Sequence, residues 1–554
     1  MSEIRIIPLG GMREVGKNAY VIEVDKEIYL LDCGIQYPSG SQFGIDTVIP
    51  DFSYIESNAD KLAGVFLSHG HEDAIGSLPY FLDKFDVPVF GSNLTIELAK
   101  FTIEKTGYAT EFDDFHVVDD QTQINFENAS VHFFNTTHTI PGSLGTVIKT
   151  DEGNIVYTGD FKFDQSAPKN YRTDFGEIAA IGQEGVLALL SDSTNSESAY
   201  ENQSELRVQE TINEDFENTD SRIIISAVAS NILRIQQVLE AAKNADRYVF
   251  MSGKVVEEIL KITANLELID LPEDLIKPIE QIKEYNDNQI VVLAAFGPGE
   301  SIYSINKMTE GQDPHVQIGE NDLVYVVTSP TNDMELDMSD MMNKVYGKGA
   351  TVSNLTDNIF ATGHATPTEL KLLINLLKPK YVVPVQGDYS MLSLHAELAG
   401  ELDIPTQNIY ILKNGDVLTY NDGDMSTSGQ IQTGSVMIDG SGIGDIGNIV
   451  MRDRHILSED GVFVVAVTIN RREKKIISKP QVVTRGFVFV KESTDLIDES
   501  ISIVSKAVNS ELQNNKFDWN TLKQAIRDDL GKFLNKKTAR RPIILPVIME
   551  VRHR

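Results

Sequence analysis

The sequence predicts an α/β protein of several domains, and three observations carry that expectation. Short apolar strands in the first 207 residues run into glycine-marked turns bearing histidine or aspartate, as where Val65-Phe66-Leu67 precedes Ser68-His69-Gly70-His71-Glu72-Asp73-Ala74-Ile75-Gly76. Strands expected at 222–226, 290–293 and 323–327 are interleaved with helical stretches such as 231–244, and such βα alternation implies a parallel sheet. The last part of the chain reads as an α+β unit, with strands at 462–468, 482–490 and 543–551 and helices at 498–514 and 519–534.

In chain order, Tyr29-Leu30-Leu31 reads as a buried strand ending in Asp32-Cys33-Gly34. Cys33 is the only cysteine, so no intrachain disulfide forms, and it reads as a small core residue rather than a nucleophile. The turn after 65–67 aims His69, His71 and Asp73 at one point, and imidazole with carboxylate suits a divalent ion such as zinc or manganese. On its own that turn is also consistent with a solvated loop. Two further pieces argue for a metal centre: Asn135-Thr136-Thr137-His138 brings a third histidine after a strand, and Ile155-Val156-Tyr157-Thr158-Gly159-Asp160 delivers a carboxylate at a strand end. A charged helical stretch at 203–216 leads to the 222–226 strand, after which Ser230 and Asn231 could hold a substrate phosphate. Asn231 could equally cap the helix that follows it. The chain then returns past Ala361-Thr362-Gly363-His364 to a helix at 368–377 and a strand at 381–385.

The spacing His-x-His-x-Asp-x resembles the metal-binding signature of metallo-β-lactamase-type hydrolases, whose last position is normally histidine. Further motifs are Leu190-Ser191-Asp192-Ser193-Thr194-Asn195-Ser196, Ala229-Ser230-Asn231-Ile232, Ala361-Thr362-Gly363-His364 and Lys378-Pro379-Lys380-Tyr381-Val382-Val383-Pro384-Val385-Gln386-Gly387-Asp388. With Gly440-Ser441-Gly442-Ile443-Gly444-Asp445-Ile446-Gly447 and Thr484-Arg485-Gly486-Phe487-Val488, they make nearly the whole chain resemble ribonuclease J, a bacterial β-CASP RNA nuclease, and most of all a catalytically degenerate paralogue of that family.

The resemblance implies a metallo-β-lactamase αββα sandwich at 1–207 and 355–447, an inserted β-CASP parallel-sheet domain at 208–354, and a C-terminal α+β oligomerisation domain at 448–554. It implies one metal site from His69, His71 and His138 with Asp160 bridging, and a second from Asp73, Asp160 and residues 74 and 386. Active members carry histidine at both of those last positions, and this chain has Ala74 and Gln386. It also has Phe296-Gly297-Pro298-Gly299-Glu300 where active members carry a Gly-Ser-Gln-Gly-Glu-type loop. Catalytic roles are expected for Asp73, Asp160 and His364, the last contacting the scissile phosphate or assisting the leaving oxygen. RNA or phosphate contacts are expected from Ser230, Asn231, Thr362, Gly363 and His364. The cofactor expectation is a divalent metal, zinc or manganese, with one tightly held ion at most. Weak, manganese-dependent 5′-3′ exonuclease and endonuclease activity in rRNA maturation and mRNA decay follows. Two other readings stay open: an inactive structural or RNA-binding subunit, and a single-metal hydrolase of a small ester or thioester. The long insertion argues against the latter, because it would cover an open small-molecule site.

Composition sets the remaining expectations. The formal charge is −34 over 554 residues, which disfavours non-specific RNA binding. Residues 448–554 nevertheless hold 20 Lys+Arg against 13 Asp+Glu, a balance of +7 that leaves −41 on the first 447 residues. Basic groups gather at Arg471-Arg472-Glu473-Lys474-Lys475 and from Lys532 to Arg541, either as solvated termini or as contacts to RNA or a partner. No apolar run approaches the roughly 20 residues of a membrane span, and Met1-Ser2-Glu3-Ile4-Arg5-Ile6-Ile7-Pro8 reads as an immediate strand, so a cytoplasmic location is expected. An edge strand at 543–551 invites pairing. The expected partners are RNA, a second copy forming a homodimer or tetramer through the C-terminal domain, and an active ribonuclease J paralogue in a hetero-complex.

Overall fold

The computed structural model describes residues 2–38, 42, 44–272, 274–297, 300–327, 334–355, 359–440, 442–489, 492–514 and 517–551. Met1, Pro298, Gly299, Ser441 and Val490, named in motifs or strands above, lie outside the described residues. The chain divides into two compact units, 1–37 with 47–436, and 38–46 with 437–554.

Two sheets face one another in the first unit. One runs in the order Asp424–Gln430, Asp416–Asn421, Ile4–Gly10, Ala19–Val24, Glu27–Leu31, Leu62–Phe66, Val89–Gly91 and Phe115–Val117. The other runs Tyr381–Val385, Val186–Asp192, Gly153–Tyr157, Leu144–Thr150, Ser130–Asn135 and Gln123–Asn125. Their inner faces share one core, in which Ile6, Tyr20, Tyr29 and Phe66 of the first meet Phe133, Ile148, Tyr157 and Leu190 of the second. Helices Phe175–Glu184 and Pro367–Leu377 cover the outer face of the second sheet through Ile178, Ile181, Leu370 and Leu373. Helix Asn93–Thr106 packs against Val89–Gly91 and Phe115–Val117 of the first sheet, and helices outside two packed sheets make the expected αββα sandwich. Central strands such as Val186–Asp192 are buried at every position, so they read as continuous apolar runs rather than as alternation.

The insertion forms a third sheet in the order Ile276–Lys277, Tyr248–Ser252, Ile290–Phe296, Ile223–Val228, Leu323–Val326 and Thr351–Asn354. All its pairings are parallel, as the βα alternation predicts. The helix expected from 231 begins at Ile232 and ends at Asn244, with Asn231 as its cap.

In the second unit the sheet order is Lys475–Arg485, Val462–Asn470, Ile543–Glu550, and helices Thr494–Gln513 and Trp519–Thr538 cover one face. Ile543–Glu550 is an edge strand, as expected, and Leu545, Val547 and Met549 are exposed along it. The strand expected at 482–490 instead spans Lys475–Arg485. The polar Arg471–Lys474 stretch is only the turn of a hairpin whose second strand starts at once, with Lys475 paired to Asn470. Pro480 is tolerated because the strand lies on an edge and the register shifts between Ala466 and Thr468. Gly486, at φ +68°, then turns the chain away.

Candidate metal centre

The strand Leu62–Phe66 and the four-residue helix Glu72–Ile75 bracket the histidine turn. His69 is buried, and Asp73 sits one helical turn further on with its Oδ1 3.7 Å from His69 Nε2. Neighbouring loops hold this turn through its backbone. Asn18 N–H donates to Asp73 O at 3.1 Å and Cys33 N–H to Ala74 O at 2.7 Å. At Gly34 a Cβ would lie 1.5 Å from the Asp73 carbonyl oxygen, so only glycine lets the two loops close. Asp32 supports the turn from beneath, accepting from Ser68 N at 2.7 Å, Ser68 Oγ at 2.8 Å and Tyr157 Oη at 2.6 Å. Burial pushes this carboxyl up to about 7 against those three donors.

His69, His71 and His138 converge so that one nitrogen of each lies within 4.8 Å of the others. The proton positions follow from the remote nitrogens. His71 Nε2 meets the Ser230 carbonyl at 3.1 Å and His138 Nδ1 the Gly363 carbonyl at 2.8 Å. A carbonyl only accepts, so both of these nitrogens carry hydrogen. His69 Nδ1 lies 2.9 Å from Ser68 Oγ, whose own proton goes to Asp32, so it too carries hydrogen. Lone pairs therefore remain on His69 Nε2, His71 Nδ1 and His138 Nε2. Burial keeps all three rings neutral, depressing His71 to about 4 and the other two well below the ordinary histidine value.

This donor set fits a metal ion. His71 Nδ1 and His138 Nε2 are 3.1 Å apart with no proton between them, a repulsive contact unless a cation lies against both. Among the described residues, His69 Nε2 and Asp160 Oδ1 are buried without a hydrogen-bond partner. Asp160 Oδ2 lies 3.8 Å from His69 Nε2 and 3.9 Å from His138 Nε2. Three neutral imidazoles and a carboxylate suit a zinc-class ion. Burial and then the neighbouring Asp73 hold Asp160 well above the carboxylate range, an arrangement that a bound cation would relieve.

The other side of the cluster differs. Ala74 is fully buried and offers no ligand. Gln386, at φ +51°, donates from Nε2 to Asp73 Oδ2 at 3.2 Å, and Asn18 Nδ2 donates to the same oxygen at 3.2 Å. Asn18 Nδ2 also donates to Gln386 Oε1 at 3.0 Å. Amide hydrogens thus face the carboxylate oxygen that a second cation would need, and the amide oxygen of Gln386 is turned to Asn18.

Models of four families match consecutive segments. They are the metallo-beta-lactamase superfamily over residues 12–206, the ribonuclease J beta-CASP domain over 220–345, the Zn-dependent metallo-hydrolase RNA specificity domain over 356–411, and the ribonuclease J C-terminal domain over 449–551. The chain is 49% identical to Ribonuclease J 2 of Streptococcus pyogenes serotype M3 over 100% of both chains. It belongs to the ribonuclease J family. Ribonuclease J 2 of Staphylococcus epidermidis and of Staphylococcus aureus are 40% and 41% identical over 99% of this chain and 98% of theirs. A crystal structure of a protein of unknown function from Enterococcus faecalis V583 covers 76% of this chain and 100% of its own, at 14% identity and a TM-score of 0.51, a likeness of fold alone.

The other expected site residues of this ribonuclease J-family chain lie around the cluster. His364 Nδ1 is 2.7 Å from Asp192 Oδ2 and 3.8 Å from Asp160 Oδ2, and a quarter of its side chain is accessible. Burial opposes its charge, but Asp192 and Asp160 outweigh burial and raise it to about 10. Thr362 Oγ1 accepts from His364 N–H at 3.2 Å, and Gly363 provides the carbonyl for His138. Asn231 Oδ1 accepts from Arg234 N–H at 3.0 Å, which is the capping arrangement, and Ser230 meets His71 through its carbonyl. Asp192, Asp32 and Asn18 were given no role by the sequence. Asp32 follows an apolar strand just as Asp160 does, a signal that was available. Asp192 lies within the motif Leu190–Ser196, and nothing local marks Asn18.

Proposed function

We propose that this ribonuclease J-family chain hydrolyses RNA phosphodiesters slowly, with one divalent ion held by His69, His71, His138 and Asp160. The observation that carries the reading is the set of three inward lone pairs, fixed by Ser68, Ser230 and Gly363, beside the protonated His364. A bound ion would supply Lewis acidity toward a phosphoryl oxygen and make water more acidic. Asp73, raised to about 6 by burial, stands where it can take a proton from the attacking water. His364 stays cationic at neutral pH and presents its charge to the phosphate or the leaving oxygen. Gln386 and Asn18 keep Asp73 in place without adding charge.

Loss of a second Lewis acid accounts for the slowness, at roughly three orders of magnitude in rate for each ~4 kcal/mol of transition-state stabilisation. Zinc or manganese fits the donor set. The same reading includes 5′-3′ exonucleolytic and endonucleolytic cutting in rRNA maturation and mRNA decay in the cytoplasm. It also includes assembly as a homodimer or tetramer through the C-terminal unit, and with an active paralogue. Exposed Leu545, Val547 and Met549 on an edge strand support such assembly.

The test is mononucleotide release from a 5′-monophosphorylated RNA with added manganese, beside a His69→Ala/His71→Ala control. Slow release that vanishes in the control is expected. Equal release from both would end the catalytic reading and leave a subunit that binds RNA or a partner.

A further inference from the structure

The three imidazoles of the centre belong to the sandwich, but a bond that orients one of them comes from the insertion. Ser230 lies between strand Ile223–Val228 and helix Ile232–Asn244 of the parallel-sheet domain, and its carbonyl oxygen accepts from His71 Nε2, 3.1 Å away. A second bond ties the turn to another loop of the sandwich, from Leu233 N–H to Thr139 O at 3.0 Å, next to His138. The Asn231 side chain fixes the turn by capping the helix. Three residues into that helix, Arg234 is buried and paired with Glu205, which also pairs with the buried Lys162 on the segment after Asp160. The turn at 229–233 is thus fastened to the sandwich both at the centre and beside it.

We propose that this turn is a positioning element for the metal ligand His71, so that ion affinity and docking of the insertion against the sandwich are thermodynamically linked. The proposal rests on the reading of the histidine cluster as a metal site and extends it to the β-CASP domain. The Ser230 carbonyl accepts only a hydrogen, so it leaves the lone pair on His71 Nδ1 and points that atom inward. When the turn moves away, His71 Nε2 keeps only the longer 3.5 Å contact to Thr139 Oγ1, a hydroxyl that both donates and accepts, so the ring gains a second tautomer and the ion loses a pre-aimed ligand. Loss of an outer hydrogen bond of this kind typically weakens metal binding 10–100-fold. Linkage is reciprocal, so the ion must hold the turn closed by the same factor. An RNA strand that needs the insertion to swing outward would therefore meet a weaker metal site while the domain is open.

The experiment uses the full-length chain. Calorimetric titration with manganese gives affinity and stoichiometry, and hydrogen exchange read by mass spectrometry is followed with and without the ion. Bound manganese is expected to slow exchange in peptides covering 229–235 at least tenfold, while peptides from 462–470 stay unchanged. Asn231→Ala is expected to weaken the ion about tenfold, and Asn231→Ser, which keeps a capping oxygen, to restore wild-type affinity. Stoichiometric binding with unchanged exchange at 229–235, together with Asn231→Ala affinity within twofold of wild type, overturns the linkage while leaving the metal site standing. An isotherm with no binding in the wild type overturns both, and the titration itself tells that case apart.

Discussion

Asp192 accepts from His364 Nδ1 at 2.7 Å, and this contact sustains a charged imidazole at the edge of a neutral histidine cluster. The Asp192 carboxylate is itself held, since Thr194 donates to its other oxygen from N at 2.9 Å and from Oγ1 at 2.6 Å. One oxygen is thereby committed to the turn and the other to the imidazole.

Asp192→Asn is expected to lower kcat about a hundredfold, at the lower end of what a positioned acid or base contributes. His364→Ala should cost at least as much. The double variant should be no worse than His364→Ala alone, because the two act as a unit. Single-turnover RNA cleavage by the three variants checks this, and additive losses would show that the residues act separately.

Restoring one ligand alone is not expected to restore a second metal position. Ala74→His leaves the Gln386 and Asn18 amide hydrogens on Asp73 Oδ2 and adds bulk at a fully buried position, at a cost of about 1–3 kcal/mol. Ala74→His/Gln386→His removes the Gln386 donor and adds two imidazoles. Elemental analysis after manganese loading should find one ion per chain in the wild type and in Ala74→His, and more than one in the double variant.

Asp32→Asn should destabilise the sandwich by about 2–3 kcal/mol, because an amide hydrogen replaces an acceptor facing Ser68 and Tyr157 in a fully buried place. Urea unfolding measures the loss. The same variant releases the Ser68 hydroxyl, so His69 loses its fixed tautomer and ion affinity should fall with stability.

Glu205 sets a pH limit. Burial alone would raise it, but Lys162 and Arg234 hold it down at about 2. Its folded value is below its ordinary value near 4.5, so its contribution is complete above that pH and disappears as pH falls from about 4.5 toward 2. Urea midpoints measured against pH should show this acid limb. Glu205→Gln should be less stable at neutral pH and should flatten the limb over that interval.

The candidate metal cluster was legible because each of its residues follows a local rule, with an apolar strand ending in a turn that carries histidine or aspartate. His69, His71, Asp73, His138 and Asp160 all obey it, and the parallel sheet of the insertion was equally plain from its βα alternation. What the sequence hid depends on distant meetings. Asn18 acquires its role only through Gln386, 368 residues away, and Asp192 through His364, 172 residues away. The side chain of Ser230 suggests a phosphate contact, whereas its contact to His71 is made by the backbone carbonyl, which no residue identity encodes. The strand Lys475–Arg485 is hard to see in the sequence because Ser478-Lys479-Pro480-Gln481 breaks its apolar run and most of its positions are exposed at the sheet edge.

Cys33 gives the histidine loop a chemical clock. Its thiol is fully buried against Ser77 Oγ at 3.3 Å and is pushed up to about 12 by burial, while its backbone N–H is bonded to Ala74 O. An alkylating reagent reaches that sulfur only during excursions that part the 72–77 segment from the strand behind it. As the only thiol in the chain, its labelling rate counts those excursions one site at a time, without a reporter being added.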